Sequence, residues 1–178
     1  MAAGLVGAPI QARASDVCSA GDYYVCGGSG NTQIILTPEG NFSADIGSQT
    51  PFQLNYFTNG SPAFLINADG NNSPGAEGSD SPVHLFTNSF IRNNEDGVGL
   101  RIRDPGSVGV NVVIDGAGDG EGDKAAFIKG SVGIQVLETG FLSGTSHVHI
   151  QNNGHVEGTG GAGIEANGTN TEDGTLSV

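Results

Sequence analysis

GVGLRI at residues 97–102 is one copy of a six-residue phrase that returns as SVGVNV (107–112), SVGIQV (131–136) and GAGIEA (161–166). A small residue comes first, an aliphatic residue or Ala second and Gly third. An aliphatic residue follows, then a variable polar one, then an aliphatic residue or Ala. Alternation with period two places Val98, Leu100 and Ile102 on one side of a strand and Gly97, Gly99 and Arg101 on the other. One short strand type repeated with a single apolar face is the mark of a stacked repeat architecture. The variable fifth residue (Arg101, Asn111, Gln135, Glu165) then faces solvent, so the phrase describes a scaffold rather than a site.

The rest of the chain fits that scaffold. Phe52, Leu54 and Tyr56 alternate with Gln53 and Asn55, while AFLINADG (63–70) and VHLFTNSFIRNN (83–94) are short apolar runs ending in Asn. Ile134/Val136, Val148/Ile150, Val156 and Ile164 mark further short strands, punctuated by Asn-Gly, Thr-Gly and Gly-Gly. Gly accounts for 31 of 178 residues, without a collagen period. The composition predicts an all-β fold, and strands this short with such varied turns predict a parallel β-helix, with a β-sandwich as the alternative. At about 20–25 residues per coil, roughly six or seven coils are expected. The unequal spacing of the copies allows them to lie on different faces.

Six basic against 19 acidic residues give a formal charge of −13. That balance lacks the basic footprint of a nucleic-acid binder and argues against docking on anionic lipid. No apolar run approaches the ~18–20 residues of a membrane span, so no membrane insertion is expected. Cys18 and Cys26 are the only cysteines, and their even count and close spacing fit a local disulfide in an oxidising compartment. Half of a metal site is the other reading, but no nearby residue supplies a third and fourth ligand. Residues 1–14 read as a signal-peptide remnant or leader, with Ala12-Arg13-Ala14 in the small-x-small form of a cleavage site. Residues 15–32 form a cysteine hairpin unit, and 33–178 the repeated body.

HVHIQNNGHVEGTGGAGIEANG (147–168) resembles the coils of autotransporter passenger domains of Gram-negative bacteria. The resemblance is clearest over 97–168. It implies a right-handed parallel β-helix, with the cysteine hairpin as a cap on the first coil. It also implies export through the periplasm and outer membrane to the cell surface. The implied role is a non-catalytic adhesin that attaches to host matrix or host cells, or to sister molecules. The family's C-terminal barrel has no counterpart here, so the chain is expected to be the N-terminal part of a longer passenger. A β-helical carbohydrate-active enzyme or glycan binder, or a passive stalk, is the competing reading.

No catalytic residue, cofactor or metal site is expected. Gly144-Thr145-Ser146-His147 lacks the surroundings of a hydrolase nucleophile, and Gly27-Gly28-Ser29-Gly30 is no nucleophile elbow. Arg101 and Arg103 project together beside Asp104, most simply as surface ion-pairing residues. Asp115, Asp119, Glu121 and Asp123 in DGAGDGEGDK (115–124) could wrap a hard cation but lack any calcium-loop register, and read as a solvated loop. His147 and His149 share a strand face near His155 without a third placed ligand. The polar stretch 71–82 reads as a second protruding loop. Asn59, Asn67, Asn88, Asn93, Asn152 and Asn167, near strand ends, are expected at corners, stacking between coils or adopting left-handed turns.

Overall fold

The computed structural model describes residues 17–19, 21, 23–38, 42–67, 81–103, 110–116, 125–138, 147–168 and 175–177. They form a parallel β-helix with no helix among them. In chain order the strands are Tyr23–Cys26 (β1), Gly28–Gly30 (β2), Ile34–Leu36 (β3), Ser43–Ile46 (β4), Phe52–Tyr56 (β5) and Phe64–Asn67 (β6). Ser81–Leu85 (β7), Ser89–Asn93 (β8), Leu100–Arg103 (β9), Val110–Ile114 (β10) and Phe127–Gly130 (β11) follow. Ile134–Glu138 (β12), His147–Asn152 (β13), His155–Gly158 (β14), Ile164–Gly168 (β15) and Thr175–Ser177 (β16) complete the series.

Every third strand stacks on the same face. Sheet A runs β1-β4-β7-β10-β13-β16, sheet B β2-β5-β8-β11-β14 and sheet C β3-β6-β9-β12-β15, all in parallel register. The described strands make five complete coils and the first strand of a sixth. Coil length is looser than the 20–25 residues expected. The step from Tyr23 to its partner Ser43 is 20 residues, whereas that from Ala44 to Val83 is 39. The excess lies in the connections between strands, which leaves the stacking register unaffected.

Three of the four copies of the phrase lie directly above one another in sheet C. Leu100, Ile134 and Ile164 form one column, and Ile102, Val136 and Ala166 the next. SVGVNV belongs to β10 in sheet A, which resolves the irregular spacing of the copies. The columns continue downward through residues that do not spell the phrase, with Phe64 and Ile34 beneath Leu100 and with Ile66 and Leu36 beneath Ile102. From Ile34 and Leu36 up to Ile134 and Val136 these side chains point inward between the three sheets and are almost wholly buried, whereas in the last coil Ile164 is half-buried and Ala166 exposed. Each Ile, Leu or Phe so enclosed stabilises the fold by about 1.5–3 kcal/mol.

The phrase's third glycine corrects the simple alternation. Gly97 and Gly99 do not face solvent; both are buried at the corner preceding β9. There the coil-to-coil ladder continues through the turn. Gly99 N donates to Val132 O (3.0 Å) and Leu100 N to Gly133 O (2.9 Å), while Ala63 N donates to Val98 O (2.9 Å). A Cβ on Gly99 would lie 2.7 Å from Gly133 O and 2.8 Å from Lys129 O, and one on Gly133 2.6 Å from Gly163 O. Main-chain atoms occupy the space at Gly99 and Gly133, so a side chain there requires backbone to move, while Ala63 stands at the equivalent position in the coil below.

Several corner polar groups are satisfied individually rather than by stacked asparagine ladders, while Asn67 Oδ1 is buried without a partner. Asn93 is buried, with Nδ2 within reach of Ser61 O (2.8 Å), Thr58 O (3.3 Å) and Val98 O (3.4 Å), and its Oδ1 accepts from Glu95 N. Asn88 takes the left-handed conformation at φ 66°. Asn152 Oδ1 accepts from Gly154 N, and Asn59 Oδ1 from Asp96 N. Asn67 stacks on Arg103, so no asparagine ladder forms there, and the Asn167 side chain lies outside the described residues.

At the N-terminal end, the chain doubles back against the free edge of β1. Cys18 is disulfide-bonded to Cys26 and pairs with it in an antiparallel bridge. Ser19 N donates to Val25 O (3.0 Å), Gly27 N to Val17 O (2.8 Å) and Val25 N to Ser19 Oγ (2.8 Å). The edge that would otherwise invite another strand is covered in this way.

Two measurements test these assignments. Gly133→Ala, at the third position of the phrase, should cost about 1–3 kcal/mol, because a methyl group must displace backbone. Gly161→Ala, at the first position, meets only Val132 Cγ2 and Ser131 O beyond 3.4 Å and should be near neutral in urea unfolding. Replacing both cysteines by Ala should remove about 2 kcal/mol. It should also speed hydrogen exchange at the Val25 and Gly27 amides while leaving that at Ile134 unchanged.

Candidate functional site

Sheet B carries the most distinctive outward face. Its strands repeat an outward–inward–outward triplet: Gln53-Leu54-Asn55 on β5, Phe90-Ile91-Arg92 on β8, Phe127-Ile128-Lys129 on β11 and His155-Val156-Glu157 on β14. Leu54, Ile91 and Ile128 are fully buried in the core, which holds their neighbours outward. In-register stacking therefore builds two exterior columns. One is Gln53, Phe90, Phe127 and His155, and the other Asn55, Arg92, Lys129 and Glu157.

The first column is an aromatic ladder. The Phe90 and Phe127 rings lie 6.5 Å apart at 55°, and the His155 imidazole stacks on Phe127 at 5.0 Å and 26°. Arg92 leans across it, with Cζ 5.2 Å from the Phe90 centroid and 5.3 Å from that of Phe127, a double cation–π arrangement. No hydrogen bond or ion pair engages Arg92 among the described residues, and its Nε is enclosed without a partner. Lys129 is already matched, its Nζ lying 2.8 Å from Glu157 Oε1. That hydrogen bond chiefly, with the Lys129 and His155 charges adding and partial desolvation opposing, holds the Glu157 carboxyl below its ordinary value.

The charged side chains of the other two faces find partners within them, although Asn67 Oδ1 on sheet C and Asn111 Oδ1 on sheet A are enclosed without one. On sheet C, Arg101 Nε donates to Gln135 Oε1 (2.8 Å) and Gln135 Nε2 to Glu165 Oε2 (3.3 Å), along the variable column of the repeated phrase. Burial chiefly lowers the Arg101 pKa from its ordinary value, with Arg103 acting in the same sense and Glu165 opposing. On sheet A, the Tyr23 hydroxyl donates to Asp45 Oδ2 (2.5 Å), which raises the phenol pKa. His84 Nε2 meets Asp115 Oδ1 at 2.8 Å and its ring stacks on Phe86.

The residues singled out in the sequence are scattered. Asp115 closes onto His84, while Asp119, Glu121 and Asp123 lie outside the described residues. Ser81 and Pro82, at the end of the polar stretch 71–82, already belong to β7. His149 is exposed on sheet A and His155 on sheet B; the His147 side chain, Asp104, Thr145 and Ser146 lie outside the described residues. Ser29 is in β2. Among the described residues, no three His, Cys, Asp or Glu side chains gather as metal ligands. Phe90, Arg92, Phe127 and Lys129 were not singled out, although Phe-Ile-Arg and Phe-Ile-Lys repeat visibly. The signal lay in the charged residue after the apolar pair, outside the glycine phrase.

No family model, curated protein or solved structure matches this chain. The class rests on the geometry itself: a parallel β-helix whose second sheet displays an aromatic and cationic exterior.

Glu157 sets a pH test. Its folded-state pKa is lowered, so its contribution is fully present above its unfolded value, about 4.3. It is lost as pH falls through the lower folded value. Lys129→Met should raise the Glu157 titration midpoint, read from the side-chain carboxyl carbon by NMR. An unchanged midpoint would exclude the contact.

Proposed function

We propose that this chain is a non-catalytic, surface-exposed adhesive passenger segment that attaches to host matrix or cells, or to sister molecules, through a face of its solenoid. The observation that carries this reading is the exterior of sheet B. Aromatic rings and a guanidinium without an anionic partner among the described residues stand on one sheet, where stacked coils hold them in register. Side chains of this kind dominate binding surfaces, where Arg and aromatic residues anchor partners. The disulfide supports export to an oxidising compartment. The acidic surface elsewhere favours solubility outside the cell. The resemblance of residues 147–168 to autotransporter coils supports the same assignment.

Binding of the intact chain to matrix proteins, glycan arrays and cultured cells tests the proposal, with sedimentation to detect self-association. Saturable binding to at least one surface, or concentration-dependent association, is the expected result. Absence of both overturns the adhesive reading.

A further inference from the structure

We propose that the exterior of sheet B binds an extended, carboxylate-bearing polysaccharide, with Arg92 gripping a uronate-type carboxylate and the Phe90–Phe127 ladder lying against the sugar rings. The proposal rests on the adhesive reading and assigns it a site and a ligand class.

Charge is the first argument. The chain as a whole carries −13, yet Glu157 is the sole carboxylate in the two columns, and Lys129 neutralises it. Arg92 is left with a planar fork of donors and no anion. A guanidinium resting over two rings is restrained by them, and its terminal Nη donors, rather than the enclosed Nε, are the ones left for a carboxylate's oxygens. The overall negative charge does not forbid this, because at physiological ionic strength charges beyond about 8 Å are largely screened.

Shape is the second argument. The five strands of sheet B, at about 4.8 Å each, give a surface roughly 19 Å long, with no wall among the described residues to enclose a compact ligand. An extended polymer fits such a surface. A peptide would ordinarily dock by adding to a strand edge, where its main chain finds partners. Between neighbouring strands of this sheet, backbone groups are engaged in the coil-to-coil ladder, so the face offers side chains alone. Gln53 and Asn55 amides suit sugar hydroxyls, and the Phe rings suit the apolar C–H faces of pyranoses. Sheet C lacks this combination, since Arg101 is bound to Gln135 within its own column.

Polygalacturonate immobilised on a sensor surface is the probe, with its fully methyl-esterified form and poly-glutamate as comparators. Wild type should bind polygalacturonate and lose that binding on esterification. Arg92→Gln should weaken binding about tenfold or more, the scale of a lost charge-assisted hydrogen bond. Arg92→Lys should restore only part of it, and Phe127→Leu should weaken it while leaving the urea midpoint close to wild type. Arg103→Gln, on sheet C, should have little effect. Equal losses from Arg92→Gln and Arg103→Gln, or full binding by Arg92→Gln, would overturn the site. Equal binding to poly-glutamate would overturn the carbohydrate assignment. Failure to bind polygalacturonate by a chain that still adheres to cells or matrix would overturn this inference alone. Failure on every surface, with no self-association, would remove the adhesive reading with it.

Discussion

Everything in this molecule depends on one spacing: each coil must lie a single hydrogen-bonded strand separation above the last, at the corners as well as along the strands. On the strands that distance is easily kept, because side chains point in or out and the backbone is free to pair. At the corners the chain turns, and any side chain there competes with the neighbouring coil's carbonyls for the same volume. Gly99 and Gly133 resolve the competition by having no side chain. Ser89 resolves another corner chemically, with a buried hydroxyl donating to Ile46 O against Gly47 at φ +86°.

Once that spacing is fixed, sequence becomes column. A residue and its counterpart in the next coil are neighbours whatever the number of residues between them. This is why coils of very different length remain in register, and why the same exterior position can be tuned separately on each face. Sheet C uses the freedom to neutralise itself, stepping from Arg101 through Gln135 to Glu165. Sheet A pairs Tyr23 with Asp45 and His84 with Asp115 across neighbouring or nearby coils. Sheet B steps from Arg92 to Lys129 to Glu157, so one cation is matched and the other is not.

The architecture was legible because core columns require aliphatic residues at fixed offsets within each strand, and GVGLRI, SVGIQV and GAGIEA carry that pattern openly. SPAFLI (61–66) performs the same part in the coil below, but Ala63 and Phe64 disguise it. Coil length was less legible, since it is set by connections whose length the stacking barely constrains. The exterior of sheet B was the least legible. Phe90 and Phe127 look like core residues in a linear reading, because an isolated aromatic beside Ile gives no sign of which of the two points inward. Only the phase of the strand decides, and that phase is fixed by Leu54, Ile91 and Ile128 on the buried side. The disulfide was readable from spacing alone, whereas its part in covering the β1 edge depends on an antiparallel pairing that spacing does not specify.

That phase also separates exteriors that compensate their own charge from one that does not. A solenoid gains stability when exterior neighbours compensate each other, because each column repeats the same environment and like charges in adjacent coils repel. Arg92 beneath Lys129 departs from this rule, since two cations stand in consecutive coils with a single carboxylate above them. The two phenylalanines soften the departure through their ring faces, but they are themselves apolar surface turned toward water. Neither feature is needed to build the coil, because Asn55 and Gln53 occupy the same two positions one coil below without charge or ring. A face that keeps an unneutralised guanidinium and half-exposed aromatics, on a scaffold able to replace both, has a composition that the coil itself does not require, and the proposed contact with an outside ligand would account for it.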